Sequence, residues 1–329
     1  MSDKPPTITR DDAQNLDRTL RPQTWEEYIG QAKIKENLRI LLTAAKERSH
    51  AAEHILLYGP PGLGKTTLSN LVAKTLGTNM KTTSGPAIEK VGDLAAILTN
   101  LTPGDLLFID EIHRLSKSIE EVLYPAMESG VLDIIIGKGP SARTVQLELP
   151  PFTMVAATTR ISLLSSPLRS RFSGGTFRLE FYSDEEIAQI LDRSSELLGM
   201  KPSDEVLERI SKRCRATPRT ANYLLKRCRD LAQLEGTNLT SDIVDQTFGL
   251  LEIDSLGLGA PDRAVLDVII NKFNGGPVGL NTIAAATGEE ASTIEDVIEP
   301  YLIRHGLIER TPRGRTASPD AYSHLENLN

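Results

Sequence analysis

Residues His54–Gly77 read HILLYGPPGLGKTTLSNLVAKTLG, an apolar run, then a turn rich in glycine and proline, then a helical pattern. Gly59, Gly64, Lys65 and Thr66 stand at the spacing G-x-x-x-x-G-K-[ST]. The context this spacing requires is present, a buried strand before it and an amphipathic helix after it. Leu68, Leu71, Val72 and Leu76 recur at helical spacing and predict the inward stripe of that helix. Glycines in such a turn let backbone N–H groups converge on phosphate oxygens, and the helix N-terminus adds partial positive charge. Lys65 is predicted to reach the β and γ phosphates, and Thr66 to place its hydroxyl on magnesium. The stretch predicts a site for a nucleoside triphosphate with Mg2+.

Downstream, DLLFIDEIH reads as a buried strand ending in two acids. Asp110 is the expected magnesium organiser and Glu111 the expected general base for an attacking water, on a strand neighbouring the one before the loop. FTMVAATTR is a further buried strand, and the hydroxyls of Thr158 and Thr159 at its end are placed to hold the water or the γ phosphate. In SSPLRSRF, Arg169 and Arg171 follow a proline-terminated loop; an arginine here suits completion of a neighbouring subunit's site. Alternation of these strands with helical patterns around Lys65–Leu76 and SIEEVLYPAM predicts an α/β fold with a parallel sheet.

The chain has 329 residues, enough for two or three domains. With 40% hydrophobic and 25% charged residues, and no apolar run near the roughly 18 residues that span a bilayer, a membrane protein is excluded. The start, MSDKPPTITRDDAQ, reads as neither secretory signal nor transit peptide, so a cytoplasmic location is expected. Cys214 and Cys228 have neither metal-ligand spacing nor a disulfide framework. A net charge of -7 argues against blanket binding to nucleic acid, so any DNA contact must be local.

Residues 1–18 read as a flexible arm and 19–182 as the sheet domain. From Ser183 the pattern is purely helical, with Asp184 as expected cap and Gly199 closing the first helix, so 183–255 is predicted to be a small all-α domain. After the joint DSLGLGAPD, residues 256–329 read as three helices and a small hairpin, the outline of a winged helix. This last part holds six Lys/Arg against ten Asp/Glu. Glu295, Asp296 and Glu299 on its TIEDVIEPYLI helix would repel phosphates in a major groove, which leaves DNA to the hairpin, where Arg310, Arg313 and Arg315 cluster. Such contacts neutralise phosphates without reading bases.

VLDIIIGKGPSARTVQLEL reads as two strands around a Gly-Lys-Gly-Pro turn. Val145, Leu147 and Leu149 share one face with Leu132, Ile134 and Ile136 opposite. Inserted between sheet strands the hairpin is expected to project, and its exposed apolar face to meet a protein partner.

Together GPPGLGKTT, LLFIDEIHRL, ATTR, SPLRSRF, ATPRTAN, GGPVGL, TIEDVIEPYLI and RTPRGR resemble the RuvB family of AAA+ ATPases, over nearly the whole chain from Leu20 to about Tyr322. The resemblance implies an AAA+ P-loop domain, a helical lid and a winged helix. It further implies an ATP-driven, homohexameric motor that encircles duplex DNA and drives Holliday-junction branch migration with RuvA, and with RuvC in the resolvasome. On that basis Arg171 falls on the trans-acting finger, Arg219 beside Pro218 on the lid's sensor arginine, and Thr158 on the strand-end sensor. Leu20, Arg21, Tyr28 and Ile29 match the adenine pocket, and Tyr182 a nucleotide contact at the hinge; Gly62, Leu63, Gly64, Lys65, Thr66 and Thr67 complete the nucleotide-binding set. Val145 and Leu147 become the RuvA anchors, and Arg310 and Arg315 the DNA contacts. Two departures stand out, one extra residue in RFSGGTFRLEFY, expected to loosen the path from Arg171 to Tyr182, and Tyr223 where an arginine is common. The readings weighed against a branch-migration motor are a clamp-loader-like ATPase, disfavoured by the hairpin and wing, and a nucleotide-sensing winged-helix regulator, disfavoured by the acidic recognition helix.

Overall fold

The computed structural model describes residue 16 and residues 18–136 and 143–327. Most of the expected arm and the Gly-Lys-Gly-Pro turn lie outside the described residues. The chain divides into two compact units, one of Pro22–Gly59 with Gly64–Glu180, the other of Pro60–Leu63, the part from Phe181 onward and the described residues up to Arg21.

In the first unit, β1 (Ile55–Tyr58), β2 (Met80–Ser84), β3 (Leu106–Asp110), β6 (Thr153–Thr158) and β7 (Gly175–Arg178) form one parallel sheet in the order β2-β3-β6-β1-β7. The central strands are near-continuous apolar runs because both faces are covered. The edges β2 and β7 are half exposed and carry polar residues, so the sequence hardly announces them. Besides α1 (Ala32–Glu47), α2 (Lys65–Leu76) and the short α5 (Ser166–Arg169), the unit holds α3 (Val91–Thr99) and α4 (Lys117–Ser129), with which alternate residues Leu56, Leu107, Ile109, Met154 and Ala156 pack in one core. Truncating a fully buried member such as Leu107 to Ala costs about 2–5 kcal/mol.

The strand order corrects one expectation. β3 is not the neighbour of β1; β6 lies between them, and Tyr58 pairs with Thr158 while Ile109 pairs with Ala156. Chain order does not set strand order when helices cross over the sheet.

Just before β1 His54 is buried, its Nδ1 accepting the Met154 N–H at 2.9 Å and its Nε2 donating to the Met127 carbonyl at 3.1 Å. Burial holds its pKa below 6.5, so the folded ring stays neutral while the unfolded one protonates. The contribution of His54 to stability is therefore fully present well above the ordinary histidine pKa and is lost as pH falls through it. Thermal melts between pH 7.5 and 5.5 are expected to show a smaller acid-induced drop in His54→Gln than in the wild-type chain.

The hairpin strands β4 (Val131–Ile136) and β5 (Arg143–Glu148) pair with each other, apart from the main sheet, in a register that sets Leu132 opposite Leu147 and Ile134 opposite Val145. Its apolar face is graded. Leu132 and Leu149 are core, Ile134 and Leu147 are half-buried against that core, and Val145 is 38% exposed.

In the second unit, α6 (Asp184–Leu197), α7 (Asp204–Ser211), α8 (Pro218–Glu235) and α9 (Ser241–Leu250) form the helical part. Ser183, not Asp184, caps α6: its hydroxyl accepts the Glu186 N–H and the Glu186 carboxylate returns to the Ser183 N–H. This S-x-x-E capping box satisfies two orphan donors at once, more than an aspartate one position later can do. Gly199 follows the helix in the left-handed region, as expected of a C-terminal glycine.

The winged-helix part comprises α10 (Ala260–Asp267), α11 (Leu280–Thr287), α12 (Ala291–Thr293), α13 (Glu299–Arg304), the wing strands β8 (Ile308–Thr311) and β9 (Gly314–Ala317), and a further helix α14 (Pro319–Glu326) beyond the expected outline. A π-helical turn, Ile294–Ile298, joins α12 to α13. Pro300, with no N–H to give, stands just after it and removes a rung of the α ladder. Among the described residues no helix is long and apolar enough to cross a membrane.

Candidate functional site

The ends of the parallel strands bring the phosphate-loop flank, the acids Asp110 and Glu111 and the strand-end threonine Thr158 to one edge of the first unit. Gly59 donates its N–H to the Thr158 carbonyl at 3.2 Å, and Lys65 folds its Nζ back onto the Gly59 carbonyl at 2.7 Å. A Cβ on Gly59 would lie 2.6 Å from the Leu179 carbonyl oxygen, and one on Gly64 3.0 Å from the Tyr28 hydroxyl. Both glycines have positive φ, 141° and 95°. This cradle admits backbone but no side chain, and it fits a phosphate chain lying against N–H groups. Thr66 and Thr67, half-buried, follow at the N-terminus of α2 (Lys65–Leu76).

Asp110 ends β3, and its Oδ1 accepts the Glu111 N–H at 2.9 Å. Glu111 itself adopts φ 49°, ψ 43°, a left-handed conformation that costs a non-glycine residue about 1–2 kcal/mol. Three contacts hold it there: the Asp110 carboxylate, the Arg114 N–H on its carbonyl at 2.9 Å, and the bare backbone of Gly85, where a Cβ would come within 2.3 Å of that carbonyl oxygen.

Thr158 is buried, and its hydroxyl meets His113 Nδ1 at 2.9 Å and accepts the Arg160 N–H at 3.0 Å. His113 thereby ties the turn after Glu111 to the strand-end threonine. Only β6 lying beside β3 makes that contact possible.

Arg171 is held by Glu128 at 2.9 Å, by the Pro167 carbonyl at 2.7 Å, and by the Tyr124 ring, 4.6 Å from the guanidinium carbon. The Tyr124 hydroxyl is in turn tied to Ser165 and Glu120. Tyr124 and Glu128 lie one helical turn apart on α4, a pattern visible in sequence but meaningless until its partner is known. The sequence predicts that the extra residue after Arg171 loosens the path onward, but the structure pins the stretch just after it. The Gly174 N–H donates to the His54 carbonyl at 2.9 Å, a Cβ there would meet backbone at 2.8 Å, and Gly175 enters β7 opposite Ile55.

In the second unit, Gly62 accepts the Arg219 N–H at 3.4 Å, and a Cβ on it would stand 3.3 Å from the Thr217 hydroxyl. Thr217 caps α8 through the Thr220 N–H, with Pro218 at the first helical position. The Tyr182 hydroxyl donates to the Leu63 carbonyl at 3.3 Å. Leu20 is buried with Arg193 on its carbonyl, and Arg21 is exposed; Tyr28, buried, and Ile29, half-buried, belong to the first unit. Tyr223 is exposed, with Arg227 over its ring at 5.8 Å.

The wing overturns one premise. Glu299 does not face outward to repel phosphates; it is 1% exposed and accepts Arg310 Nε at 2.6 Å and Arg315 Nη2 at 2.8 Å. Burial alone raises its pKa, but the two guanidiniums outweigh this and hold it below the usual carboxylate value. Arg310 remains 52% exposed, Arg315 only 13%, and Arg313 lies on the exposed turn between β8 and β9. A helical periodicity cannot tell an outward acid from one bridged by residues eleven and sixteen positions later.

A family model described as the RuvB P-loop domain of the Holliday junction DNA helicase matches residues 20–179, the RuvB AAA lid domain matches 182–254, and the RuvB C-terminal winged helix domain matches 255–326. The chain belongs to the RuvB family. It is 57% identical over 319 residues to the Holliday junction branch migration complex subunit RuvB of Dehalococcoides mccartyi (strain CBDB1), covering 97% of this chain and 91% of that one. It is similar in structure to the Thermotoga maritima RuvB Holliday junction branch migration motor, with a TM-score of 0.87 and 47% identity over 94% of this chain and 98% of the other. A mutant of the same Thermotoga protein also matches with TM-score 0.87 and 47% identity, over 93% and 98% of the two chains. As a RuvB-family P-loop ATPase, this chain binds nucleotide.

Proposed function

We propose that the chain is an ATP-driven DNA motor that moves Holliday junctions, working in the cytoplasm as a homohexameric ring with RuvA, and with RuvC when the junction is resolved. The observation that carries this reading is the meeting of Lys65, Asp110, Glu111 and Thr158 at one sheet edge in a chain that also ends in a winged helix. Thr66 and Asp110 would hold Mg2+, which when bound neutralises charge on the phosphates. Lys65 draws the phosphate chain into the loop, Glu111 takes the proton of the attacking water, and Thr158, oriented by His113, holds that water in line. Leu20, Arg21, Tyr28 and Ile29 receive the adenine. Arg219 and Tyr182 read the nucleotide from the lid, and Arg171 of one protomer stabilises transition-state charge in the next protomer's site.

The test is a synthetic four-way junction incubated with the protein, RuvA, magnesium and ATP. Wild-type protein is expected to exchange strands and Glu111→Gln is not, although it still binds nucleotide. Absence of exchange by the wild-type chain under these conditions contradicts the reading.

DNA meets the wing at Arg313 and the exposed part of Arg310, while Arg315 stands behind as a strut on Glu299. Arg313→Ala is expected to weaken duplex binding equally for all sequences, reducing the salt slope by about one, with no change in melting temperature. Arg315→Ala leaves Glu299 with one partner and is expected to cost about 2–3 kcal/mol of stability. Filter binding across salt, beside thermal melts, separates the two; a sequence-selective loss in Arg313→Ala contradicts backbone recognition.

RuvA is met by the exposed end of the hairpin's apolar face, Val145 with Leu147 beneath it. Leu147→Asp is expected to retain ATP turnover and lose its stimulation by RuvA. Undiminished capture by RuvA in a pull-down refutes this contact.

A further inference from the structure

Between α7 and α8 the chain turns through Arg215 and Ala216, both left-handed, with φ 58° and 52°. Two consecutive non-glycine residues in this region persist only where their surroundings over-determine them. The Arg215 guanidinium is fixed on three sides by the winged-helix part. Nη1 donates to Asp262 Oδ2 at 2.5 Å, Nη2 donates to the Val297 carbonyl at 2.8 Å, and the Tyr301 ring lies 4.6 Å below the guanidinium carbon. Asp262 is buried and its same oxygen accepts the Gly259 N–H that opens α10. On the other side, the Ala216 carbonyl accepts the Tyr182 N–H at 3.1 Å, and the next residue, Thr217, begins the turn that packs on Gly62 and presents Arg219. A run of five residues thus has one end clamped in the DNA-binding part and the other against a residue of the phosphate loop. Val297 and Tyr301 lie on the same helical stretch as Glu299, which holds Arg310 and Arg315 of the wing.

We propose that Arg215 is the positioning residue that couples nucleotide at the phosphate loop to the winged helix's hold on DNA. The proposal rests on the function proposed above. A change at Gly62 or Arg219 moves the Thr217 turn; the clamped Arg215 converts that movement into a shift of the Val297–Tyr301 stretch and so of the wing. Coupling of this kind is a free energy shared by two sites, and it must be reciprocal.

The test is a binding cycle on the full chain. Affinity for a fluorescent mixed-sequence duplex is measured with and without a non-hydrolysable ATP analogue and magnesium, at a protein concentration where light scattering gives the same oligomeric state in both arms. In wild type the analogue is expected to change duplex affinity by about fivefold or more. In Arg215→Gln that ratio is expected to fall toward one, while affinity for the analogue alone stays close to wild type and the duplex changes the analogue's affinity correspondingly less. Arg215→Lys, which keeps the charge at Asp262 but not the planar fork on Val297 and Tyr301, is expected to lose most of the ratio as well. If Arg215→Gln melts early, Tyr301→Leu, which keeps apolar bulk and removes the ring under the guanidinium, supplies the same comparison. A wild-type ratio in a folded variant, or a ratio of one in the wild-type chain, overturns the proposal. A wild-type chain that fails to bind duplex or analogue at all instead overturns the proposed function, and the coupling with it.

Discussion

In Glu111→Gln, ATP turnover falls by about 10²–10⁴-fold while nucleotide affinity stays near that of wild type. Glutamine fills the same volume but cannot take a proton from water. The turn that aims it is made by backbone and neighbours: the Asp110 carboxylate on its N–H, the Arg114 N–H on its carbonyl, and the side-chain-free Gly85 against that carbonyl. None of these depends on the Glu111 side chain, so the geometry survives the substitution. Lys65 and the Gly59 cradle, proposed to bind phosphate, are likewise untouched. Single-turnover hydrolysis measured beside equilibrium binding of a fluorescent nucleotide distinguishes the cases; undiminished hydrolysis removes Glu111 from the role of base.

Replacing Arg171 with Ala is expected to lower turnover by about 10³–10⁵-fold in the assembled protein, the range an arginine finger supplies to phosphoryl transfer. The loss is not one of folding. Glu128, its ion-pair partner, is largely exposed and readily rehydrated, so a cost below about 1 kcal/mol is expected from the broken pair. The decisive measurement is mixing. An Arg171→Ala protomer keeps its own Glu111, and a Glu111→Gln protomer keeps its Arg171. If the guanidinium acts on the neighbouring site, combining the two inactive proteins restores turnover at the seams that pair them correctly. Mixtures as inactive as their parts, with co-assembly verified, place Arg171 in its own protomer's site or outside the chemistry.

The phosphate loop, the acid pair and the strand-end threonine were legible because each is a local event, in which a few adjacent residues must carry particular atoms and the flanking periodicity shows whether a strand or a helix presents them. The same holds for the wing, whose apolar pair and Pro-Gly turn lie within ten residues. The sequence puts the α6 cap one position late, at Asp184, because both Ser183 and Asp184 are good caps, and only the return contact from Glu186 separates them. The edge strands were faint because half their residues face water.

What the amino-acid order determined by itself is which phosphate-loop, acidic and wing residues this chain offers to the proposed function, since those depend on residue type and close spacing. Tertiary packing alone decided that β6 separates the loop strand from the acid strand, bringing Thr158 to His113, and that Glu299 turns inward between Arg310 and Arg315. It alone decided, too, that Arg215 reaches 47 residues ahead to Asp262. A buried charge is tolerable only beside its partner, and partners this far apart in the chain are chosen by how helices and strands stack, which no short window of sequence contains.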